Sequence, residues 1–166
     1  MIDRVRHHLV KSLGAICALI FAALVIDVLW GVFTRQVLNN QPAWTEELAR
    51  LLLVWLALFG GVLAYAGDNH LGIDVITSRL DARAKRIANS ITHLSVIAFA
   101  LFVLIWGGLE LFASRWQSGQ VLPAMQIRKA WFYLVLPLSG GLLVLLAILK
   151  IASSPREPEE SEGAKT

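Results

Sequence analysis

Apolar residues fall into four long runs, at about 13–34, 48–66, 91–113 and 131–149, separated by short polar stretches. Each run is close to the ~20 residues that carry an α-helix across ~30 Å of hydrocarbon. A backbone in that medium must satisfy its own polar groups, so each run predicts a transmembrane helix. The predicted fold class is all-α integral membrane with four transmembrane helices, residues 1–150 forming the membrane domain. The basic stretch MIDRVRHHLVK resembles the start of a signal peptide. The apolar run behind it is longer than the 7–15 residues of a signal core, however, and no small-x-small cleavage site follows, so a retained first helix is expected. Between the second and third runs, Ile73, Ile76, Leu80 and Ile87 share one helical face, with Arg79, Arg83 and Arg86 toward the other. This predicts a short amphipathic helix on the cytoplasmic surface, its arginines toward anionic headgroups. A charged extension of the third helix fits the same pattern. Residues 151–166 are polar, acidic and proline-containing, and predict a disordered cytoplasmic tail.

Composition agrees with a lipid environment. Hydrophobic residues make up 57% of the 166 and charged residues only 16%, where a soluble domain has about a quarter charged. The net charge of +3 comes from the connections. Arg4, Arg6, Lys11, Arg79, Arg83, Lys85, Arg86, Lys150, Arg156 and Lys165 fall on one side of a four-helix topology, and Arg35, Arg50, Arg115, Arg128 and Lys129 on the other. The excess of positive charge places both termini in the cytoplasm. Trp30, Trp44, Trp106, Trp116 and Trp131 then lie near the outer ends of the helices and Trp55 mid-membrane, so the outer layer is an aromatic belt or a packing surface. No basic stripe exists outside the connections, which argues against nucleic acid. Cys17 has no second cysteine to pair with. His7, His8, His70 and His93 do not form the convergent set that zinc needs, nor a haem-binding pair at membrane depth, so no cofactor is expected. No nucleophile–base pair or phosphate loop points to an enzyme.

The charges that remain near the apolar runs need a reason. Asp27, in LVIDVLW, lies about two thirds of the way through the first run. A carboxylate there costs about 2.5–3.5 kcal/mol unless paired, protonated or facing water. Arg50, entering the second helix from the same side, is a candidate partner, making Asp27 a structural ion pair; the other reading is a proton or cation site. Glu110 can snorkel to the interface. In PAWTEELARLLLVWLALFGG, Glu46 and Glu47 sit in the first turns of the second helix, where the dipole favours acids. Arg50 can pair with either, at i, i+4 or i, i+3. Such pairs stabilise by only ~0–1 kcal/mol, and an uncharged sequence would insert more easily.

Taken together, Trp44-x-Glu46-Glu47-x-x-Arg50, Trp55 and Gly60-Gly61 resemble the second-helix signature of the small membrane subunit of TRAP (tripartite ATP-independent periplasmic) transporters. His70 and Asp74 in HLGIDVI are similar to that family's H-x-x-x-D loop motif. Pro123, Trp131, Tyr133 and Pro137 are similar to its approach to the last helix, although the family often has a second proline where this chain reads Ile127-Arg128. The resemblance spans roughly residues 13–150. It implies a small, multi-pass subunit of the bacterial inner membrane beside a large membrane subunit, which holds the substrate and ion sites. A periplasmic substrate-binding protein would deliver a dicarboxylate, sialic acid or another organic acid. The small subunit is thought to brace its partner. In that setting Trp44, Glu46, Glu47, Arg50, Asp27, Gly60, Gly61, His70 and Asp74 are candidates for fixing packing among the helices or against the large subunit. Gly60-Gly61 and Gly140-Gly141 are expected to allow close helix approach. Arg115, Arg128 and Lys129 offer a possible docking surface for the binding protein. Two rivals are a self-contained proton-coupled exporter using Asp27 and a non-transport membrane scaffold.

Overall fold

The computed structural model describes residues 2–67 and 82–153. Helix α1 spans Ile2–Val37 and α2 spans Ala43–Ala66. Helix α3, Ala82–Phe99, runs on through a π-helical segment, Ala100–Gly107, into α4, Gly108–Gln117. A short α5, Ala130–Tyr133, leads into α6, Val135–Ser153. Four stretches of described helix are long and apolar enough to cross a membrane: Arg6–Val37, Ala43–Ala66, Ile91–Gln117 and Ala130–Lys150. The four expected spans are therefore present, with different ends.

Those differences have local causes. α1 has 36 residues, about 54 Å at 1.5 Å per residue, and so outruns the hydrocarbon at its basic start. Helix α2 begins at Ala43, five residues before the apolar run, because Pro42 presets an extended entry at φ −65° and Thr45 Oγ1 donates to the Pro42 carbonyl at 2.8 Å. The third span is helical from Ala82, which fits the charged-extension reading for residues 82–90; the rest of the proposed amphipathic helix lies outside the described residues. The fourth span breaks at Leu134. Pro137 has no N–H to offer the Tyr133 carbonyl four residues back, and its ring crowds that carbonyl. Helix α6 extends to Ser153, into the segment expected to be tail; residues 154–166 lie outside the description.

The core gathers Leu13 and Cys17 of α1, Phe59, Val62, Tyr65 and Ala66 of α2, and Val135, Leu146 and Ala147 of α6. It is thin. In the apolar 18-residue stretch of each span, only 17% of residues in the first three and 28% in the fourth are buried within the chain, so most apolar surface faces outward, as it does in lipid or against another membrane protein. A close helix approach joins α6 to the third span. A Cβ at Gly140 would stand 2.8 Å from Leu104 Cβ and 2.8 Å from Ile105 Cγ1, against the wall of the π segment. A Cβ at Gly108 would stand 2.7 Å from Leu136 Cβ and 2.9 Å from Pro137 Cδ. Gly60, Gly61 and Gly141 meet nothing within 4 Å. The expectation of close approach at the glycine pairs thus holds within this chain for Gly140 alone, and Gly108 takes the other contact.

At the end of the bundle bearing the chain termini, Arg6 Nη2 donates to the Ala66 carbonyl at 3.2 Å. It thereby occupies one of the carbonyls that a helix C-terminus leaves without a partner. Tyr65 Oη lies 2.9 Å from His93 Nδ1, and Lys150 Nζ lies 5.6 Å from the centre of the Tyr65 ring. The opposite end, the hairpin end, carries the two connections 38–42 and 118–129.

Candidate functional site

The hairpin end is where the charged signature sits. Residues 120–129 form a small antiparallel hairpin: Lys129 N–H donates to the Gln120 carbonyl at 2.9 Å and Leu122 N–H to Ile127 at 2.8 Å, with Val121 opposite Arg128. Its tip is a single helical turn closed by Gln126 N–H to the Leu122 carbonyl at 2.9 Å. Gln126 takes the left-handed conformation, φ 56°, and its side chain donates to the Pro123 carbonyl at 2.8 Å. Like the start of any helix, that turn leaves its first amides without internal acceptors.

Glu47 supplies the acceptor. Its carboxylate accepts the Ala124 N–H at 3.2 Å to each oxygen and the Met125 N–H at 3.0 Å. An anion held by consecutive backbone amides is a favourable arrangement. Charge-assisted bonds of this kind are stronger than neutral ones. Position 47 on α2 is thereby tied to a loop 77 residues away in sequence.

Glu46 and Arg50 do something slighter. Arg50 Nη2 stands 3.6 Å from Glu46 Oε2, an i, i+4 pair with both side chains largely exposed, where such pairs contribute ~0–1 kcal/mol. The pairing expected of Arg50 therefore forms with Glu46, while Glu47 is used elsewhere. Arg50 also lines a cavity of about 340 Å³ with Glu47, Leu122, Pro123, Lys129, Phe132 and Tyr133.

Asp27 is 5% exposed, and neither of its oxygens has a hydrogen-bond partner among the described residues. Arg50 is not its partner, which corrects that expectation: Arg50 turns outward to Glu46, one turn up its own helix. Asp27 instead lines a cleft of about 200 Å³ between α1 and α2, with Gly31, Arg35, Gln41, Thr45 and Glu46. The helices meet closely above it, a Cβ at Gly31 falling 3.2 Å from Gln41 Nε2 and 3.4 Å from Thr45 Oγ1. Thr34 and Thr45 are both buried there. Thr34 Oγ1 donates back to Trp30 and Gly31 carbonyls at 3.0 Å each.

The basic residues of the hairpin are partly engaged. The Arg128 guanidinium sits over the Trp116 ring at 4.4 Å, and Phe112 stacks on the same indole at 5.7 Å between centroids. Arg115 donates to Gln120 Oε1 at 3.3 Å. Trp30, Trp44, Trp106, Trp116 and Trp131 are all exposed. Glu110 is exposed on α4. His70 and Asp74 lie outside the described residues. No group of three or more potential metal ligands occurs among the described residues.

Comparison with known proteins decides the family. Residues 24–156 match the family described as "Tripartite ATP-independent periplasmic transporters, DctQ component". The chain belongs to this family. It is 31% identical over 68% of its length to the isethionate TRAP transporter permease protein DctMQ of Oleidesulfovibrio alaskensis, of which the match spans 18%. It is 26% identical over 80% of its length to the sialic acid TRAP transporter small permease protein SiaQ of Vibrio cholerae, covering 75% of that protein. It is 30% identical over 66% of its length to the C4-dicarboxylate TRAP transporter small permease protein DctQ of Rhodobacter capsulatus, covering 47% of it. The chain is a multi-pass membrane protein of the TRAP small permease family.

Proposed function

We propose that this chain is the small membrane subunit of a secondary transporter of the bacterial inner membrane. Its role is to brace a large permease subunit during ion-gradient-driven uptake of an organic acid, such as a dicarboxylate or sialic acid, handed over by a periplasmic binding protein. The observation that carries the bracing role is the Glu47 clamp. A carboxylate on α2 holds the backbone of the hairpin before the last span, which stiffens the end of the bundle that positive charge counts put in the periplasm. The outward apolar surface of all four spans suits attachment to a larger membrane partner. The relative DctMQ supports the same reading, since the region similar to this chain is a small part of one longer permease polypeptide. On this reading the binding protein docks at the hairpin, where Lys129 is the cation best placed to meet it, Arg115 and Arg128 being partly engaged with Gln120 and Trp116.

Deletion of this chain from cells that keep the large permease and the binding protein is the test. Uptake of one organic acid in a panel of dicarboxylates, sialic acid and sulfonates should fall to a tenth or less and return with the wild-type chain. Replacing Glu46, Glu47 and Arg50 together by alanine should restore it only in part. Undiminished uptake of every acid in the panel after deletion rules the role out.

A further inference from the structure

Asp27 is a buried acidic side chain inside a predicted apolar run, and the clamp leaves it unexplained. It is 5% exposed, and both oxygens are without hydrogen-bond partners among the described residues. Arg35 is the only cation among the residues lining its cleft. It lies eight positions on, about 12 Å along α1, and makes no ion pair with Asp27 among the described residues. Arg50 is turned to Glu46. The cleft around the carboxylate, about 200 Å³, includes the small residues Gly31 and Ala49 in its lining. Beside it α1 presents Val28 (47% exposed) and Val32 (45%), both lining the cleft, to the outside.

A carboxylate at this depth is stable as a charge only with a partner, and the described chain does not provide one. We infer that the cleft between α1 and α2 is the docking point for an arginine or lysine carried by a transmembrane segment of the large permease subunit, whose basic group pairs with Asp27. The inference rests on the bracing role proposed above. Charge complementarity selects the occupant: a buried anion in an open cleft, flanked by an apolar helix face, fits a mostly apolar helix with one cation at matching depth. Intramembrane ionisable residues characteristically pair in this way. Such a pair fixes the register of the two subunits more than it adds affinity.

Dicyclohexylcarbodiimide tests this, because it modifies protonated carboxyls in apolar surroundings and spares ion-paired carboxylates. The purified chain and its purified complex with the large permease are treated in parallel, and the N-acylurea adduct on Asp27 is measured by mass spectrometry. Asp27 should be modified in the chain alone and at least tenfold less in the complex. The second arm excludes simple occlusion. Asp27→Asn and Asp27→Leu should each lower the yield of complex at least tenfold, because the partner's cation is left unpaired, while Arg35→Ala leaves it unchanged. Equal modification of Asp27 in the two samples overturns the pairing, as does normal complex yield from both Asp27 variants. Those results leave the bracing role standing; a failure of the wild-type chain to form any complex overturns both.

Discussion

Replacing Glu47 with alanine is expected to free the amides of Ala124 and Met125, raising their hydrogen-exchange rates roughly tenfold. The carboxylate meets three close contacts from two N–H groups at 3.0–3.2 Å. Hydrogen bonds to a charged group contribute about 1.5–3 kcal/mol in favourable cases. The Ala124 contacts are exposed, so the lower end applies, and ~1.4 kcal/mol corresponds to a factor of ten. The effect has a pattern. The Leu122, Gln126 and Lys129 amides are bonded within the hairpin and its tip and should keep most of their protection. Glu47→Gln retains one carbonyl acceptor and should fall between wild type and alanine. Glu46→Ala, which removes only an exposed pair, should change none of these amides. Uniform loss of protection across the hairpin in both glutamate variants contradicts the clamp.

The second large effect concerns the seam between α6 and the third span. Gly108→Ala and Gly140→Ala each place a methyl carbon within 2.7–2.8 Å of neighbouring carbons. Overpacking of this order costs about 1–3 kcal/mol. Neither site offers a cheap escape. At Gly108 the neighbours include the rigid Pro137 ring, and at Gly140 the Ala100 carbonyl lies only 3.1 Å away. Gly60→Ala, Gly61→Ala and Gly141→Ala meet open space within the chain and should leave the isolated subunit as stable or gain up to ~1 kcal/mol from helix propensity. Thermal unfolding in detergent separates the two groups. Equal behaviour of all five variants contradicts the packing described here.

The spans were legible because hydrocarbon leaves the backbone few alternatives. Their ends were less so. Helix α2 starts five residues before its apolar run on the strength of Pro42 and Thr45, a local signal that hydropathy does not register. The π segment at 100–107 leaves no mark in a uniformly apolar stretch. Adjacent glycines point about 100° apart around a helix, so a doublet cannot give both members to one neighbour. This is why Gly140 packs and Gly141 does not, and why the contact at Gly108 could not be read from composition. At the hairpin end, Glu46 and Arg50 formed the short-range pair that spacing permits. The use of Glu47 was not legible, because it depends on a turn 77 residues away. The one available signal was Pro123 opening a short turn, whose first amides need an acceptor from elsewhere. For Asp27 the depth and the cost were legible, but its candidate partner Arg50 stands against Glu46 instead.

Co-purification tests the central claim most directly. The tagged chain is expressed with a large TRAP permease subunit from the same genome, extracted in mild detergent and sized by light scattering. The bracing role predicts a stable one-to-one complex of the two membrane subunits. Elution of the chain by itself, as a monomer or as a dimer of its own, with the large permease in separate fractions, contradicts it.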